Sequence, residues 1–453
     1  MKKRVALLMI LFLLAACVPT PDQEAVVNKA DHSIKDTLAA PDAKAYHYEA
    51  PERWEETIGM KNLNIVIDAD VVLPEADRYP IQTIKRHTFT GEDAMTLLSA
   101  CFSGPFELRE NTYSMAELEE DIRFELRGNV IDSDDETGEV TFEPLTEDTE
   151  RLDELREMMA QCPAEDTFVP LDSAKLGFRN EPYVIHTGDG TLLYLFFQKS
   201  AMKILTARDG YPQDEHTVWI EGFIGEPWHK TLDHITISEA AATETANAVL
   251  DRAGLSRQFG VGLMEKGRIA RATVEEPYYQ VLSEGYILRI SRNGGGYVPF
   301  PQGGGVYMED QRSALFEMPT EESYAQRWSQ DWFELYVSEN GVGYVGWFDP
   351  NELVTEVSEN VQLMPFSEIQ SHIRDDLRFS YAWTDEDSNG ITELHVSKII
   401  LSCAIERIPN DPDEAALVPA WVVVYNDSRS EKVKGHEKLM LINAIDGSYL
   451  HVE

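Results

Sequence analysis

Stretches in which hydrophobic and polar residues alternate predict most of the regular structure of this chain. The alternation is clear over 63–71 and 286–290, and a period of two is typical of strands with one buried face. Two turn sequences, 187–190 and Asn340-Gly341, each separate a pair of apolar runs, which is the signal of a β-hairpin. The pattern therefore predicts antiparallel sheets.

Helix signals are fewer and stand between the strands. Thr90 with Asp93, and Ser114 with Glu117, have the spacing of capping boxes that begin helices. Apolar stripes at helical spacing predict three more helices, which begin near residues 147, 238 and 366. The fold class expected is α+β, with several small domains of antiparallel sheet, each packed by one or two helices.

Changes in period and composition divide the chain into six segments. Two of them, 236–365 and 366–453, share an order of one helix followed by antiparallel strands, which suggests an internal duplication. The segments expected are a leader at 1–16, a flexible tether at 17–59, an α+β domain at 60–165, an antiparallel β domain at 166–235, and the units 236–365, with two triple-glycine runs, and 366–453.

The first seventeen residues have the organisation of an export signal. Lys2, Lys3 and Arg4 precede an apolar run over 5–14, which is too short to span a membrane. The run ends in Leu-Ala-Ala-Cys, which resembles the lipobox of bacterial lipoproteins. That resemblance implies that Cys17 is acylated and anchors the protein outside the cytoplasm; the alternative is an ordinary signal peptide with an incidental cysteine.

Charge narrows the range of partners. The 39 Lys and Arg residues against 80 Asp and Glu residues give a formal net charge of −41. Such a surface repels nucleic acids and anionic lipid headgroups, and it favours solubility and cationic partners. We expect no nucleic-acid partner and no second membrane anchor, so the lipid on Cys17 would hold the chain at the membrane.

Three cysteines follow Cys17, and they leave two interpretations open. Cys101 and Cys162 each continue a helical apolar stripe, so both are expected on buried helix faces. They are either buried reduced thiols or a disulfide joining two packed helices, with Cys403 unpaired in both cases.

No arrangement of residues in the chain specifies a reaction. It has no His-Glu-x-x-His, no Cys-x-x-Cys and no Gly-x-Ser-x-Gly sequence, and its histidines do not cluster. Residues 385–390 begin like a calcium-binding EF-hand loop, but Val396 stands where the loop requires glutamate, so a polar hairpin turn is favoured. We expect no metal site, no cofactor and no enzymatic activity.

Aromatic residues are dense between 324 and 348. If one face of the hairpin at 332–348 is exposed, Trp332, Tyr336 and Trp347 would form a surface for a ligand or partner. The alternative is that these rings pack into a core.

The end of the chain resembles a known family. The stretches 417–423 and 441–448, with Pro419, Trp421 and Asp446-Gly447, are similar to the closing strands of PepSY-like domains. That resemblance implies a fold of helix followed by strands, and a place among the envelope proteins of Gram-positive bacteria that regulate a membrane sensor kinase. Residues 16–21 and 67–71 also resemble a family of uncharacterised lipoproteins from Gram-positive gut bacteria. Neither resemblance implies catalytic residues.

These observations together predict a membrane-anchored extracytoplasmic lipoprotein with a non-catalytic binding or regulatory role at the cell envelope. Its partners would be the membrane, through Cys17, and a membrane protein, peptide or small ligand. The alternative function is that of a solute-binding lipoprotein of a transporter. Such proteins usually have two lobes built from βαβ repeats, whereas hairpin signals dominate this sequence.

Overall fold

The computed structural model describes residues 44–61, 63–133, 140–143, 149–206, 218–222, 232, 234–272, 279–301, 331–381, 391–408, 413–428 and 438–450. The helices in these ranges are α1 Gly91–Cys101, α2 Met115–Arg127, α3 Glu150–Gln161, α4 Glu239–Arg252 and α5 Phe366–Ser380, with a short 3-10 helix at Ser173–Lys175. The strands are β1 Arg53–Gly59, β2 Asn64–Val72, β3 Ile81–Arg86, β4 Glu107–Arg109, β5 Asn129–Ser133, β6 Val140–Glu143, β7 Phe168–Pro170, β8 Tyr183–His186, β9 Leu192–Phe197, β10 Ala201–Thr206, β11 Val218–Gly222, β12 Phe259–Ala272, β13 Tyr279–Arg292, β14 Trp332–Ser338, β15 Gly341–Phe348, β16 Asn351–Ser358, β17 Glu393–Arg407, β18 Glu414–Asp427, β19 Lys438–Asn443 and β20 Tyr449–Leu450.

Two large sheets and one hairpin contain all of these strands. The eight-stranded sheet has the order β1-β2-β17-β18-β19-β20, with β3 beside the start of β18 and β16 beside β3. The ten-stranded sheet has the order β11-β12-β13-β14-β15-β10-β9-β8-β4-β7, and β5 pairs only with β6. Every pairing is antiparallel except that of β2 with β17. The predicted α+β class with antiparallel sheets is confirmed.

The sheets do not follow the segments drawn along the sequence. From the segment 60–165, β2 and β3 join the eight-stranded sheet, whereas β4 joins the ten-stranded sheet. The segment 236–365 divides in the same way, because β12 to β15 and β16 lie in different sheets. Pairing between strands that are distant in sequence decides which sheet each strand joins. The local periodicity of a strand does not predict its partner.

Local signals placed the helices well. Thr90 and Ser114 form the expected capping boxes with Asp93 and Glu117. The end of the tether was wrong: the flexible segment expected over 17–59 contains β1 at Arg53–Gly59, which pairs with β2. No helix within the described ranges is long and apolar enough to cross a membrane.

The core of the eight-stranded sheet is centred on β18, whose residues 415–425 are all buried. Trp421 is fully buried, and its ring centre lies 5.0 Å from that of Phe366 on α5 and 5.8 Å from that of Tyr48. The apolar stripe of α5, which also contains Ile369, Ile373 and Leu377, belongs to the same cluster. The near-continuous apolar sequence of β18 follows from burial on both of its faces.

The ten-stranded sheet has a large core on one face. Helices α1 and α4 pack there, and their alanine and leucine side chains join those of the strands. A smaller cluster, which includes Leu205, Ile269 and Tyr336, lies on the opposite face because successive strand residues point to opposite sides. The two faces therefore differ strongly in how much apolar surface they bury.

Helix α2 is attached near the edge of this sheet by a buried ion pair. The Arg109 guanidinium donates to both Glu117 carboxylate oxygens, at 3.0 and 2.7 Å, and both side chains are almost completely buried. The Tyr194 hydroxyl and the Ser114 backbone N–H also donate to that carboxylate, at 3.0 and 2.6 Å. Because these hydrogen bonds satisfy both charges, the pair can be buried without a large penalty.

We expect Trp421→Ala to lower the free energy of unfolding by about 3–5 kcal/mol, because it removes a fully buried ring from the centre of the core. Phe379→Ala is the matched control, since Phe379 is 67% exposed and its removal should change stability by less than about 0.5 kcal/mol. Denaturant unfolding of the two variants checks the prediction, and equal losses would contradict it.

Candidate functional site at the junction of the two sheets

Two of the sequence predictions fall outside the described residues. Cys17 belongs to 1–43, so its acylation stays a prediction. The EF-hand-like stretch 385–390 lies outside as well. Within the described ranges, no group of three or more His, Cys, Asp or Glu side chains could hold a metal ion.

Of the two interpretations of the cysteines, the structure has the reduced thiols: Cys101, Cys162 and Cys403 are free, and Cys101 and Cys162 form no disulfide. The two helices pack against different partners, α1 against α4 and α3 against α2. The Cys162 thiol donates instead to the Tyr113 carbonyl oxygen, at 3.2 Å. Burial raises the pKa of Cys101 and of Cys403 to about 12, so these thiols stay protonated and are poor nucleophiles at neutral pH.

The predicted aromatic surface is divided between the two faces of the ten-stranded sheet. Trp332 and Tyr336 point to one face, whereas Trp347, which pairs with Phe333, points to the core of the other. Tyr336 is fully buried, and its hydroxyl donates to the Ser283 hydroxyl at 2.9 Å. The three residues therefore do not form one ligand surface, because alternation along the hairpin separates them.

The Trp332 side chain is partly exposed and lies beside charged side chains. The Arg289 guanidinium lies 4.4 Å from the centre of the indole ring. The same guanidinium lies 3.6 Å from a Glu265 carboxylate oxygen and 3.9 Å from one of Glu334, and all three charged side chains are largely buried. Trp332 is thus partly exposed, and Arg289 holds its indole ring in place.

The strongest polar contact between the sheets is centred on Asp331, just before β14. The Arg292 guanidinium at the end of β13 donates to both Asp331 oxygens, at 2.5 and 3.1 Å, and the two side chains are 8% and 1% exposed. Asn351, at the start of β16, donates to the same carboxylate through its backbone N–H at 2.9 Å and its side-chain amide at 3.2 Å. Arg292 also donates to the Asn351 carbonyl oxygen. The ten-stranded sheet thereby holds the first residue of an edge strand of the eight-stranded sheet.

Aromatic rings surround this ion pair. Trp347 stacks on Phe333 with ring centres 4.9 Å apart, and its indole N–H points at Asp331 Oδ1 from 3.4 Å. Phe259 contacts Trp347 at 5.7 Å and lies 4.5 Å from the Arg292 guanidinium. Trp347 therefore supports the junction of the sheets.

The first triple-glycine run forms a tight turn at the same junction. Gly294, Gly295 and Gly296 have φ values of 52°, 85° and 154°, which residues with a Cβ rarely adopt. Tyr297 follows fully enclosed, and its hydroxyl donates to the Pro80 carbonyl oxygen at 2.9 Å. Gly295 and Gly296 are exposed, and the Val298 N–H after the turn donates to the Leu401 carbonyl oxygen of β17 at 3.3 Å. The second run, 303–305, lies outside the described residues.

A small cavity completes the junction. Its lining comes from the ten-stranded sheet and from the eight-stranded sheet: Arg292, Phe300, Asp331, Cys403, Ile405 and Leu417. Its ionic groups are paired with each other and its thiol is protonated, so this lining couples the sheets and provides no activated nucleophile.

Sequence analysis missed the junction, since its members are scattered between residues 258 and 417. Arg292, Asp331 and Asn351 are ordinary charged or polar residues at the ends of strands. A weak signal was present: all three stand at the border of a strongly apolar run, where a side chain is often partly buried.

Comparison with known proteins adds little. No protein-family model matches the chain, and no curated protein matches it. A solved structure of an uncharacterised protein from Eubacterium rectale is similar at 12% sequence identity, over 93% of this chain and 99% of that one, with a TM-score of 0.46. A likeness at that level carries no argument about function, so the family resemblances stay predictions.

We expect Asp331→Ala to lower the free energy of unfolding by about 3–5 kcal/mol, because it leaves the Arg292 guanidinium buried without its anion. Glu359→Ala is the matched control: it removes an exposed ion pair with Arg78, formed at 3.2 Å, and should cost less than about 1 kcal/mol. If the two variants unfold at the same denaturant concentration, the junction does not stabilise the protein as argued.

The thiols give a second prediction for this region. A Cys17→Ser variant, unfolded without reductant, should titrate three thiols with Ellman's reagent, because Cys101, Cys162 and Cys403 are free. The folded protein should react much more slowly at Cys101 and Cys403, because the pKa of each of these thiols is raised to about 12. A titre of one thiol after unfolding would show that Cys101 and Cys162 form a disulfide.

Proposed function

We propose that the protein is an extracytoplasmic lipoprotein, anchored through Cys17, that binds a partner at the cell envelope without catalysing a reaction. The observation that carries its location is the Leu-Ala-Ala-Cys sequence at 14–17 after a basic start and a short apolar run.

The contacts of the described residues support a binding function more than a catalytic one. Among the described residues, the thiols of Cys101 and Cys403 are kept protonated, and the buried guanidiniums of Arg109 and Arg292 are committed to structural ion pairs. What the molecule presents to a partner is a strongly acidic surface and the partly exposed Trp332 beside Arg289. Aromatic side chains next to arginine are common centres of binding interfaces.

The alternative of a solute-binding lipoprotein has less support. Its two lobes would be built on parallel strands with helical crossovers. In the described part of this chain one strand pair is parallel and the others are antiparallel. A regulatory role of the PepSY-like kind remains the narrower form of our proposal, and it rests on the resemblance of 417–448.

Crosslinking in intact cells tests the proposal. We expect one membrane protein to be recovered with the acylated chain in near-stoichiometric amount. Trp332→Ala should reduce that recovery about 30-fold, as for the loss of an interface residue worth about 2 kcal/mol. Single substitutions are preferable to deleting 366–453, since that deletion removes β17 to β20 from the middle of a sheet.

Phe379→Ala serves as the control for this experiment, because it removes an exposed aromatic ring from α5, on the other sheet. Unchanged recovery with Phe379→Ala and loss with Trp332→Ala would place the partner at the ten-stranded sheet. Equal recovery with both variants would reject Trp332 as a contact. A chain found in the medium without Cys17 modification would reject the anchor.

A further inference from the structure

A segment without regular secondary structure, residues 44–50, lies against the core of the eight-stranded sheet before β1 begins. Its side chains alternate: Tyr46 is half-buried and Tyr48 is buried, whereas His47 and Glu49 are exposed. A period of two is typical of an extended chain with one side against a surface. We call this segment the strap.

Backbone groups of the loop that joins β16 to α5 bind both tyrosines of the strap. The Tyr46 hydroxyl donates to the Val361 carbonyl oxygen at 3.0 Å and accepts from the Leu363 N–H at 2.8 Å. The Tyr48 hydroxyl donates to the Met364 carbonyl oxygen at 2.7 Å. Because all three hydrogen bonds use phenolic oxygens, the loop distinguishes tyrosine from phenylalanine at both positions.

The backbone of the strap is held between two loops. Its Tyr46 N–H donates to the Asp77 carbonyl oxygen, at 3.0 Å, on the loop that joins β2 to β3. Its Lys44 carbonyl oxygen accepts from the Asn360 side-chain amide at 2.9 Å. The two loops are also bonded to each other, since the Tyr79 N–H donates to Asn360 Oδ1 at 2.8 Å. They therefore form a groove whose walls are joined without the strap.

Aromatic rings form the floor of this groove. The ring centre of Tyr48 lies 5.8 Å from that of Trp421 and 6.2 Å from that of Tyr79, and Tyr46 lies 5.3 Å from Tyr79. Trp421 is fully buried, and its indole N–H has no hydrogen-bond acceptor among the described residues. The strap thus fills the groove with two rings but leaves a buried donor beside it unsatisfied, which costs free energy.

The strap has the features of a bound peptide. Extended peptides are recognised through alternate side chains that enter pockets and through a few main-chain hydrogen bonds, as the strap is. It contributes no strand to either sheet, and the exposed residues Pro51 and Glu52 connect it to β1. It can therefore leave the groove without breaking a strand pairing.

We propose that this groove is a peptide-binding site that the strap occupies within its own chain. The partner that fits it is an extended segment of another protein with tyrosine side chains two residues apart. The strap competes with such a segment at the high effective concentration of a tethered ligand, so it sets a threshold for binding. The site belongs to the eight-stranded sheet, apart from Trp332 on the ten-stranded sheet.

Displacement of the strap would also lengthen the reach of the chain. Residues 44–52 would then join the segment between Cys17 and β1, which adds about 30 Å when they are extended. This consequence rests on the proposed anchor at Cys17, whereas binding in the groove does not.

The experiment cuts the strap from the folded protein. A protease recognition sequence is inserted between Pro51 and Glu52 of the full chain, the folded protein is cleaved in detergent, and a fluorescein-labelled peptide of residues 44–50 is added. We expect saturable binding to the cleaved protein, measured by fluorescence anisotropy. Binding to the uncut protein should be weaker by about tenfold or more, because its own strap competes at an effective concentration on the order of millimolar.

Variants of the peptide test how it is recognised. Tyr48→Ala should bind about 30-fold more weakly, as for the loss of a buried aromatic anchor. Tyr48→Phe should bind about fivefold more weakly, because it loses the hydrogen bond to the Met364 carbonyl oxygen. His47→Ala is the matched control: the His47 side chain is exposed, so this peptide should bind like the parent peptide.

Absence of binding to the cleaved protein, with its fold verified by circular dichroism, or equal binding of all the peptides, would overturn the proposed site. So would a cleaved N-terminal fragment that stays bound against excess peptide, or a protein that unfolds on cleavage, because the strap would then be a permanent part of the core. The mass of the cleaved fragment reports the acylation of Cys17 separately, so failure of the groove and failure of the anchor are distinguishable.

Discussion

The buried pairing of Arg292 with Asp331 is the interaction on which the arrangement of the two sheets depends. Each ion would be strongly destabilising alone in the interior, and each is compensated by the other. Asp331 also accepts hydrogen bonds from Asn351, and Arg292 also donates to the side-chain oxygen of Gln258. Asn351 belongs to the eight-stranded sheet, so satisfying the charges also fixes the start of β16. Because buried charges need hydrogen-bond partners, and one of these partners lies on the other sheet, the ion pair also fixes the position of one sheet relative to the other.

Packing around this pair explains the residues that local reasoning found unusual. For Trp347 the sequence left a ligand surface and core packing open; its indole donates toward Asp331 and stacks on Phe333. The glycines at 294–296 have positive φ values that allow a tight turn, and this turn places the Tyr297 hydroxyl against the Pro80 carbonyl oxygen just before β3. Trp347 and the glycine turn both belong to the junction, and their conformations are explained by the contacts that they make there. The partner that we propose would therefore bind outside the junction, at the surface where Trp332 is partly exposed.

Local sequence features predicted the elements well and their assembly poorly. The capping boxes at Thr90 and Ser114 and the Asn340-Gly341 hairpin are encoded within four residues, and the structure contains them all. β2 pairs with β17 more than 300 residues along the chain, and no periodicity within either strand specifies that partner. The candidate site was missed for the same reason, since Arg292, Asp331 and Asn351 meet only after both sheets have formed. The stripe that suggested a Cys101–Cys162 contact was correct as a helix face, but it did not identify the helix on the other side.

Native-state hydrogen exchange tests most directly whether the Asp331 junction holds the two sheets together as one cooperative unit. Amides in the core of β18 and in the core of β14 would be followed in the full chain at increasing denaturant, below the unfolding transition. If the junction couples the sheets, both sets should exchange with the same free energy of opening and the same dependence on denaturant. Two distinct free energies, with the β14 amides opening while those of β18 stay protected, would show that the sheets unfold separately and would contradict the account.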